Sequence, residues 1–430
     1  MPLEIHEDCQ DRLAEFLTAN LPQVSVNNQL FVNYKSLEAI SDIDDILPQN
    51  DDFQDQLHKW IGENPLSSFI FGKLQETLES NYEYNSDQPT QNLNEIEEFE
   101  EIEELANSLI DDFIALPNEY NLLLKIPRGV ATRFIQAIGE EELSISENLS
   151  LISPNQDFRN EFPDPPKHSP KKGLAGLDFL DQQVEWNPEH LYIKYRVEGF
   201  ISSYEQTTPI QRFKELCKSF IGICLALRLL SFEHNYLNSS FESKILVFKS
   251  SNETWFSKKN HTFSESFSNR FQSLDLWSTW EEELNENQIS TLIVKELQKI
   301  QSVFRDQDNN ETILKSSQWL FDSYCSENKL LGFIQSITSI EILLGDKSIS
   351  DIIGLGELLR NRCAYLIGKS KSQRDEILKD FKRIYDTRSK IVHRGKSTLS
   401  ESEVDDFYKL RWLCMRAIQE EVTLLNEDED

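Results

Sequence analysis

The stretch Asp380-Phe-Lys-Arg-Ile-Tyr-Asp-Thr-Arg-Ser-Lys-Ile-Val-His-Arg-Gly395 decides the fold of the C-terminal part of this chain. The apolar residues in and just before it recur at helical spacing, at Ile377, Phe381, Ile384 and Ile391. This pattern is typical of the buried face of an amphipathic helix. Arg388 occupies a position on that same face. An arginine there is expected to point toward a core, a cleft or a partner chain.

His393 follows Arg388 by five residues, and Gly395 is predicted to end the helix. In a straight helix the two side chains point about 140° apart and lie about 7.5 Å apart along the axis. They meet in one site only if the helix ends there or if a second copy of the chain completes the site. Because a helix C-terminus favours the imidazolium form, His393 is a candidate general acid or base.

Length and composition predict a soluble, cytoplasmic protein of two or three domains. The chain has 430 residues, an acidic N-terminus unlike a signal peptide, and no apolar run long enough to span a bilayer. Its six cysteines include no CxxC pair or other zinc-ligand spacing, as in a protein from a reduced cytosol. No nucleotide-binding loop or dinucleotide fingerprint occurs. We therefore expect no metal, no cofactor and no membrane contact.

The net charge of −31 is unevenly distributed along the chain. Residues 1–310 hold 25 Lys and Arg against 53 Asp and Glu, whereas residues 311–426 hold 18 against 17. Residues 360–396, here named the basic island, hold 12 basic and 4 acidic residues. A basic island in an acidic protein predicts a small, localised contact with a nucleic acid. The acidic remainder argues against broad binding to a duplex.

The order of the patterns predicts an α+β N-terminal region followed by an all-α bundle. We expect an α+β region of unknown fold over residues 1–152 and a proline-rich linker or loop over residues 153–173. A second α+β region, separate or joined with the first in one domain, spans residues 174–305. Within these regions helices are predicted at 95–114 and 210–230, and strands at 120–126, 143–152, 190–202 and 245–248.

Residues 306–426 are predicted to form a helical domain. We expect helices joined by short connections near residues 311–325, 328–345, 350–368, 373–394 and 401–425. Two further charges, Glu341 and Arg362, fall on the apolar faces of the second and third of these helices. Since buried charges are costly unless paired, we predict that Glu341 pairs with Arg362 or Arg388.

Three ordered blocks in this domain resemble the Apea-like branch of the HEPN superfamily (higher eukaryote and prokaryote nucleotide-binding). They are SITSIEILLG at 336–345, LGELLRNRCAYLIG at 355–368 and RIYDTRSKIVHRGK at 383–396. The resemblance implies an all-α HEPN bundle that forms a homodimer and acts as a metal-independent endoribonuclease. It also implies a role in prokaryotic antiviral defence or a toxin-like role. The N-terminal region would then sense a protein or phage-derived trigger, or restrain the nuclease.

The same resemblance assigns roles by position. Arg388 would bind the scissile phosphate of the RNA, and His393 would transfer protons. The supporting residues would be Glu341, Arg362 and Ser389, and the RNA contacts would be Lys390, Arg394 and Lys396. Ser389 departs from the family, whose catalytic motifs often have Asn, Asp or His directly after the arginine. The alternatives are a catalytically silent HEPN module that binds RNA, nucleotide or a protein partner, and a helical scaffold whose charges only set the dimer register.

Overall fold

The computed structural model describes residues 3–139, 142–163, 186–204, 206–233, 242–252, 254–277, 280, 283–345 and 354–427. The chain forms two compact units, each assembled from separate segments. The first contains Met1–Leu122, Arg196–Phe213 and Val247–His261, and the second contains Leu123–Tyr195, Lys214–Leu246 and Thr262–Asp430. The boundary expected between residues 305 and 306 lies inside the second unit. The C-terminal helices therefore share a unit with earlier segments of the chain.

The first unit is built around helices and one small sheet. Its helices are α1 (Glu7–Asn20), α2 (Asp51–Trp60), α3 (Pro65–Asn81) and α4 (Ile102–Ile114), with a 3-10 helix over Tyr34–Ile46. The antiparallel sheet consists of β1 (Ser25–Asn27), β2 (Phe31–Val32) and β3 (Gln91–Asn92), in the order β2-β1-β3. Phe69 packs at the centre of the core, with ring centroids 5.4 Å from Phe113 and 4.7 Å from Phe200.

The helix predicted over residues 95–114 is shorter than expected. The α-helix begins at Ile102, and the preceding residues form two 3-10 turns, Leu93–Glu95 and Glu97–Phe99. A capping box between Asn92 and Glu95 starts the first turn, and Glu101 leaves helical geometry before α4 begins. The apolar spacing correctly predicted which side chains are buried, but it did not predict the type of helix.

A six-stranded sheet contains the longest strands. The remaining strands of the chain, in order, are β4 (Asn118–Lys125), β5 (Leu143–Ser144), β6 (Leu149–Ile152), β7 (Tyr192–Gly199), β8 (Leu230–Phe232), β9 (Lys244–Ser251), β10 (Thr254–Thr262) and β11 (Leu274–Leu276). The sheet order is β10-β9-β4-β7-β6-β5, and β8 pairs separately with β11. The strands predicted at 120–126, 190–202 and 245–248 are confirmed as β4, β7 and β9. The run at 143–152 is instead divided into β5 and β6, which pair antiparallel.

Helices dominate the rest of the chain. They are α5 (Arg128–Ile138), α6 (Gln156–Glu161), α7 (Thr208–Ala226), α8 (Glu265–Gln272), α9 (Glu286–Arg305), α10 (Glu311–Cys325), α11 (Lys329–Leu344), α12 (Leu355–Ile367), α13 (Lys371–Arg394) and α14 (Glu401–Glu427). The C-terminal helices are confirmed within a few residues, but α9 was not predicted. Of the predicted linker 153–173, residues 156–161 form α6, and residues from 164 onward lie outside the described residues.

Local capping explains where the C-terminal helices begin and end. The side chain of Asn328 accepts hydrogen bonds from the first-turn amides of α11, and Ser370 accepts one from Gln373 at the start of α13. Gly395 ends α13 in the left-handed conformation, with φ 63° and ψ 31°. The predicted end of the helix is thus confirmed. In the part of the chain that the structure describes, no helix is long and apolar enough to cross a membrane.

Helix α7 approaches α10 very closely at Gly222. A Cβ atom built on Gly222 would lie 2.0 Å from the carbonyl oxygen of Ser317 and 2.6 Å from its carbonyl carbon. Next to it, the Ser219 hydroxyl donates to the carbonyl of Leu314 at 2.9 Å. Only glycine permits this approach, because the opposing atoms belong to backbone that cannot rotate away.

The Gly222→Ala variant should therefore be less stable than the wild type. We expect a loss of at least about 1–3 kcal/mol, because α7 and α10 must separate to accept the methyl group. The urea midpoint of the helical circular dichroism signal measures the loss. Gln211→Ala, at an exposed position of α7, is the control and should unfold like the wild type. Equal midpoints for Gly222→Ala and the control would contradict the close packing.

Candidate functional site

Arg388 and His393 lie on different faces of one unbroken helix. Helix α13 continues through both residues and ends only at Arg394. The side chain of Arg388 is 24% exposed and directed toward neighbouring helices, whereas His393 is exposed. The helix does not end between them, so a single copy of the chain does not bring these two candidate catalytic residues together.

Arg388 forms an ion pair with Glu341 of α11. The distance between Arg388 Nε and Glu341 Oε1 is 3.5 Å, and the Glu341 side chain is 22% exposed. Of the two partners predicted for Glu341, the structure thus selects Arg388. The pair is looser than a charge-assisted hydrogen bond of about 2.7–2.9 Å. A guanidinium carries five N–H donors, so Arg388 has donors for a further anion.

Tyr385 completes a small cluster around this pair. Its hydroxyl donates to Glu341 Oε1 at 3.4 Å, and its ring centroid lies 5.6 Å from Cζ of Arg388. Gly356 of α12 lies directly against the ring, because a Cβ there would be 2.7 Å from Tyr385 Cδ1. Three helices therefore position the guanidinium. The position of Tyr385, three residues before Arg388 on the helix, is the sequence feature that could have revealed this contact.

The ionisation of the cluster is set by its burial. Burial raises the pKa of Glu341, and the charge of Arg388 and the Tyr385 hydroxyl offset this only in part. Burial and the negative charge of Glu341 also raise the pKa of Tyr385. Glu341 therefore holds its proton at a higher pH than an exposed carboxyl group does.

Arg362 does not join this cluster directly. Its Nη1 donates to the carbonyl oxygen of Leu344 at 2.9 Å, in the last turn of α11. Burial raises the pKa of Glu421 on α14, and the charge of Arg362 opposes that rise. Arg362 thus stabilises the end of the helix that carries Glu341.

The remaining predicted site residues point outward, with one exception. The side chains of Ser389, Lys390, His393 and Arg394 are exposed and form no hydrogen bond or ion pair with any described residue. Lys396 differs, since its Nζ lies 2.7 Å from Glu403 Oε2. Burial favours the neutral form of Glu403, but hydrogen bonds from Lys396 and Ser400 lower its pKa to about 2. Lys390 and Arg394 are therefore better placed than Lys396 to bind a ligand.

Part of the basic island is neutralised internally. Nη2 of Arg383 lies 2.8 Å from Asp380 Oδ1 and 3.0 Å from Asp406 Oδ1. Arg360 pairs with Glu357 at 2.6 Å, and Lys369 with Glu420 at 2.7 Å. Among the described residues, Lys371, Lys379, Lys382, Lys390 and Arg394 form no ion pair, so the charge available to a ligand extends along α13. Over the described ranges, no three His, Cys, Asp or Glu side chains are placed to hold a metal ion.

The raised pKa of Glu341 predicts a pH-dependent stability. The folded protein binds this proton more tightly than the unfolded chain, so stability should fall as pH rises from 4.5, the usual value, through the raised pKa. The Glu341→Gln variant should lack that fall, whereas the control Asp386→Asn, at an exposed position of α13, should retain it. Urea midpoints between about pH 4 and about pH 8 measure the difference. Identical pH profiles for Glu341→Gln and the wild type would show that folding does not raise the pKa of Glu341.

Comparison with known proteins adds no assignment to this cluster. The chain matches no protein-family model, no curated protein and no solved structure. A function for the C-terminal helices therefore has to be supported by the chemistry of their own residues.

Proposed function

We propose that the C-terminal helices form an endoribonuclease of the HEPN type that works as a homodimer. The observation that carries the proposal is the placement of Arg388 and His393 on different faces of α13. One copy alone leaves the site incomplete. In a dimer whose two α13 helices face each other, Arg388 of one copy can lie beside the histidine of the other.

The residues supply the chemistry that RNA cleavage requires. A histidine acting as general base removes the proton of a ribose 2′-hydroxyl, and that oxygen attacks the adjacent phosphorus. The bond from phosphorus to the 5′-oxygen breaks, and the leaving oxygen takes up the proton that this histidine accepted. The products are a 2′,3′-cyclic phosphate and a 5′-hydroxyl. Arg388 would stabilise the negative charge that develops on the phosphoryl oxygens.

The cluster around Arg388 suits this role. Glu341 and Tyr385 orient the guanidinium, while the loose 3.5 Å ion pair allows it to engage a phosphate. The exposed Lys390 and Arg394 would contact the backbone of the RNA on either side. In this proposal the protein takes part in prokaryotic antiviral defence or has a toxin-like role, and the N-terminal region senses the trigger or restrains cleavage.

A catalytically silent HEPN module is the second candidate. Ser389 favours it, because this exposed side chain stands where the catalytic motifs of that family often carry Asn, Asp or His. Such a module would retain the phosphate contact of Arg388 and would bind RNA without cleaving it.

Mixing two inactive variants tests whether the site is shared between copies. Labelled RNA in EDTA should be cleaved by the wild type to cyclic phosphate ends, and at least about 100-fold more slowly by Arg388→Ala or His393→Ala alone. After the two variants are mixed and allowed to exchange subunits, roughly a quarter of the wild-type rate should return, because half of the dimers would have one intact site. Asp386→Ala, exposed on α13, is the control and should cleave normally.

The other results separate the alternatives. Loss of cleavage in both variants with no recovery on mixing would mean that the site is not shared in this way. RNA binding without cleavage, weakened in Arg388→Ala, would identify the silent module. If the wild type neither binds nor cleaves RNA, the proposal is rejected for the isolated protein.

A further inference from the structure

The N-terminal segment of the first unit has an extreme charge. Residues 1–122 contain 27 Asp and Glu but only 4 Lys and Arg. From residue 74 to residue 124 there are 14 acidic residues and no Lys, Arg or His. Such a surface repels nucleic acid and attracts cationic partners over a distance of about 8–10 Å at physiological salt.

On this acidic unit lie two contacting pairs of rings, here together named the aromatic row: the exposed Phe31 with Tyr84, and the exposed Tyr34 with the half-buried Phe71. The exposed fractions are 40% for Phe31, 73% for Tyr34 and 59% for Tyr84. The rings contact in pairs, with centroids 6.2 Å apart for Phe31 and Tyr84 and 6.5 Å apart for Tyr34 and Phe71. Neighbouring exposed rings are characteristic of protein interaction surfaces, where Tyr and Phe are enriched.

The backbone that carries the aromatic row is held in place by several hydrogen bonds. The Gln75 side chain on α3 donates to the carbonyl of Leu30 at 2.7 Å and accepts from the amide of Val32 at 3.0 Å. The amide of Asn85 donates to the carbonyl of Asn28 at 3.2 Å, which ties the loop of Tyr84 to the β1–β2 turn. The rings are therefore presented on ordered backbone, which reduces the entropic cost of binding a partner.

Carboxylates flank Tyr84 in the sequence. Glu83 and Asp87 are exposed and form no ion pair with any residue that the structure describes. Nearby, the hydroxyl of Tyr82 donates to Glu98. Burial, that hydrogen bond and the charges of Glu98 and Glu97 raise the pKa of Tyr82 to about 12. Tyr84 thus belongs to a segment whose charged side chains are all acidic.

We propose that the aromatic row, together with the carboxylates around Tyr84, docks a segment of another protein that is rich in arginine or lysine. Guanidinium and ammonium groups are attracted to the faces of Tyr and Phe rings and at the same time pair with Glu and Asp. The alkyl parts of these side chains cover exposed rings well. RNA would be repelled by this unit, and so would the same acidic surface of a second copy. This surface is distinct from the Arg388 cluster and does not depend on its proposed activity.

The test uses the full chain and a fluorescein-labelled peptide of alternating arginine and leucine. The double variant Phe31→Ser/Tyr84→Ser keeps the charge of the protein but removes two rings. We expect it to bind the peptide at least about tenfold more weakly than the wild type in fluorescence anisotropy. Phe256→Ser is the matched control, since Phe256 is another aromatic residue of the first unit and is 54% exposed. It should bind like the wild type.

A second variant keeps the test decisive if the ring substitutions disturb folding. Glu83→Gln/Asp87→Asn changes only exposed side chains, and we expect weaker peptide binding with a smaller dependence on salt. A peptide with glutamate in place of arginine should not bind at all.

Four results would overturn the proposal. One is that the wild type fails to bind the arginine peptide. A second is that the double ring variant binds it as tightly as the wild type, which would indicate attraction by charge alone. A third is that labelled RNA binds the wild type but not the ring variant, which would identify a nucleic-acid surface. The fourth is a changed oligomeric state of the ring variant in light scattering, which would identify an interface between copies.

Discussion

The C-terminal helices depend on one electrostatic constraint, a permanently charged guanidinium on the buried face of α13. An arginine side chain carries a positive charge, so its position must supply a counter-charge or remain open to solvent. The structure does both in part, since Glu341 lies 3.5 Å away and a quarter of the side chain is exposed. Tyr385 and Gly356 then determine how closely α11, α12 and α13 can pack around the pair. An arrangement of this kind is costly for stability alone, which favours a functional reason for it.

The regular backbone of α13 also explains why Arg388 and His393 do not lie together in one copy of the chain. An α-helix that continues past Arg388 must carry a residue five positions later to another face. The left-handed Gly395 ends the helix just after His393, so the histidine is exposed near the helix terminus and its dipole. The inward arginine and the outward histidine are therefore consequences of the same regular backbone.

Charge is organised differently in the two units. In the second unit, several members of the basic island are paired with nearby carboxylates, and exposed cations along α13 form no ion pair with a described residue. In the first unit the carboxylates outnumber the cations so heavily that most cannot be paired, and exposed rings lie among them. Helix α13 in the second unit therefore suits an anionic ligand and the first unit a cationic one, as the two proposals require.

The sequence by itself determined the α+β character of the N-terminal region and the positions of the C-terminal helices. These follow from local periodicity and from caps such as Ser370 and Gly395, which act over a few residues. It also showed that Glu341 and Arg388 lie on apolar helical faces. Only the tertiary structure decided that these two residues form an ion pair and that Arg362 donates to a carbonyl at the end of α11 instead. It also decided that Lys396 forms an ion pair with Glu403. The assembly of each unit from separate segments was likewise not predictable, because contacts between residues far apart in the chain leave no local pattern.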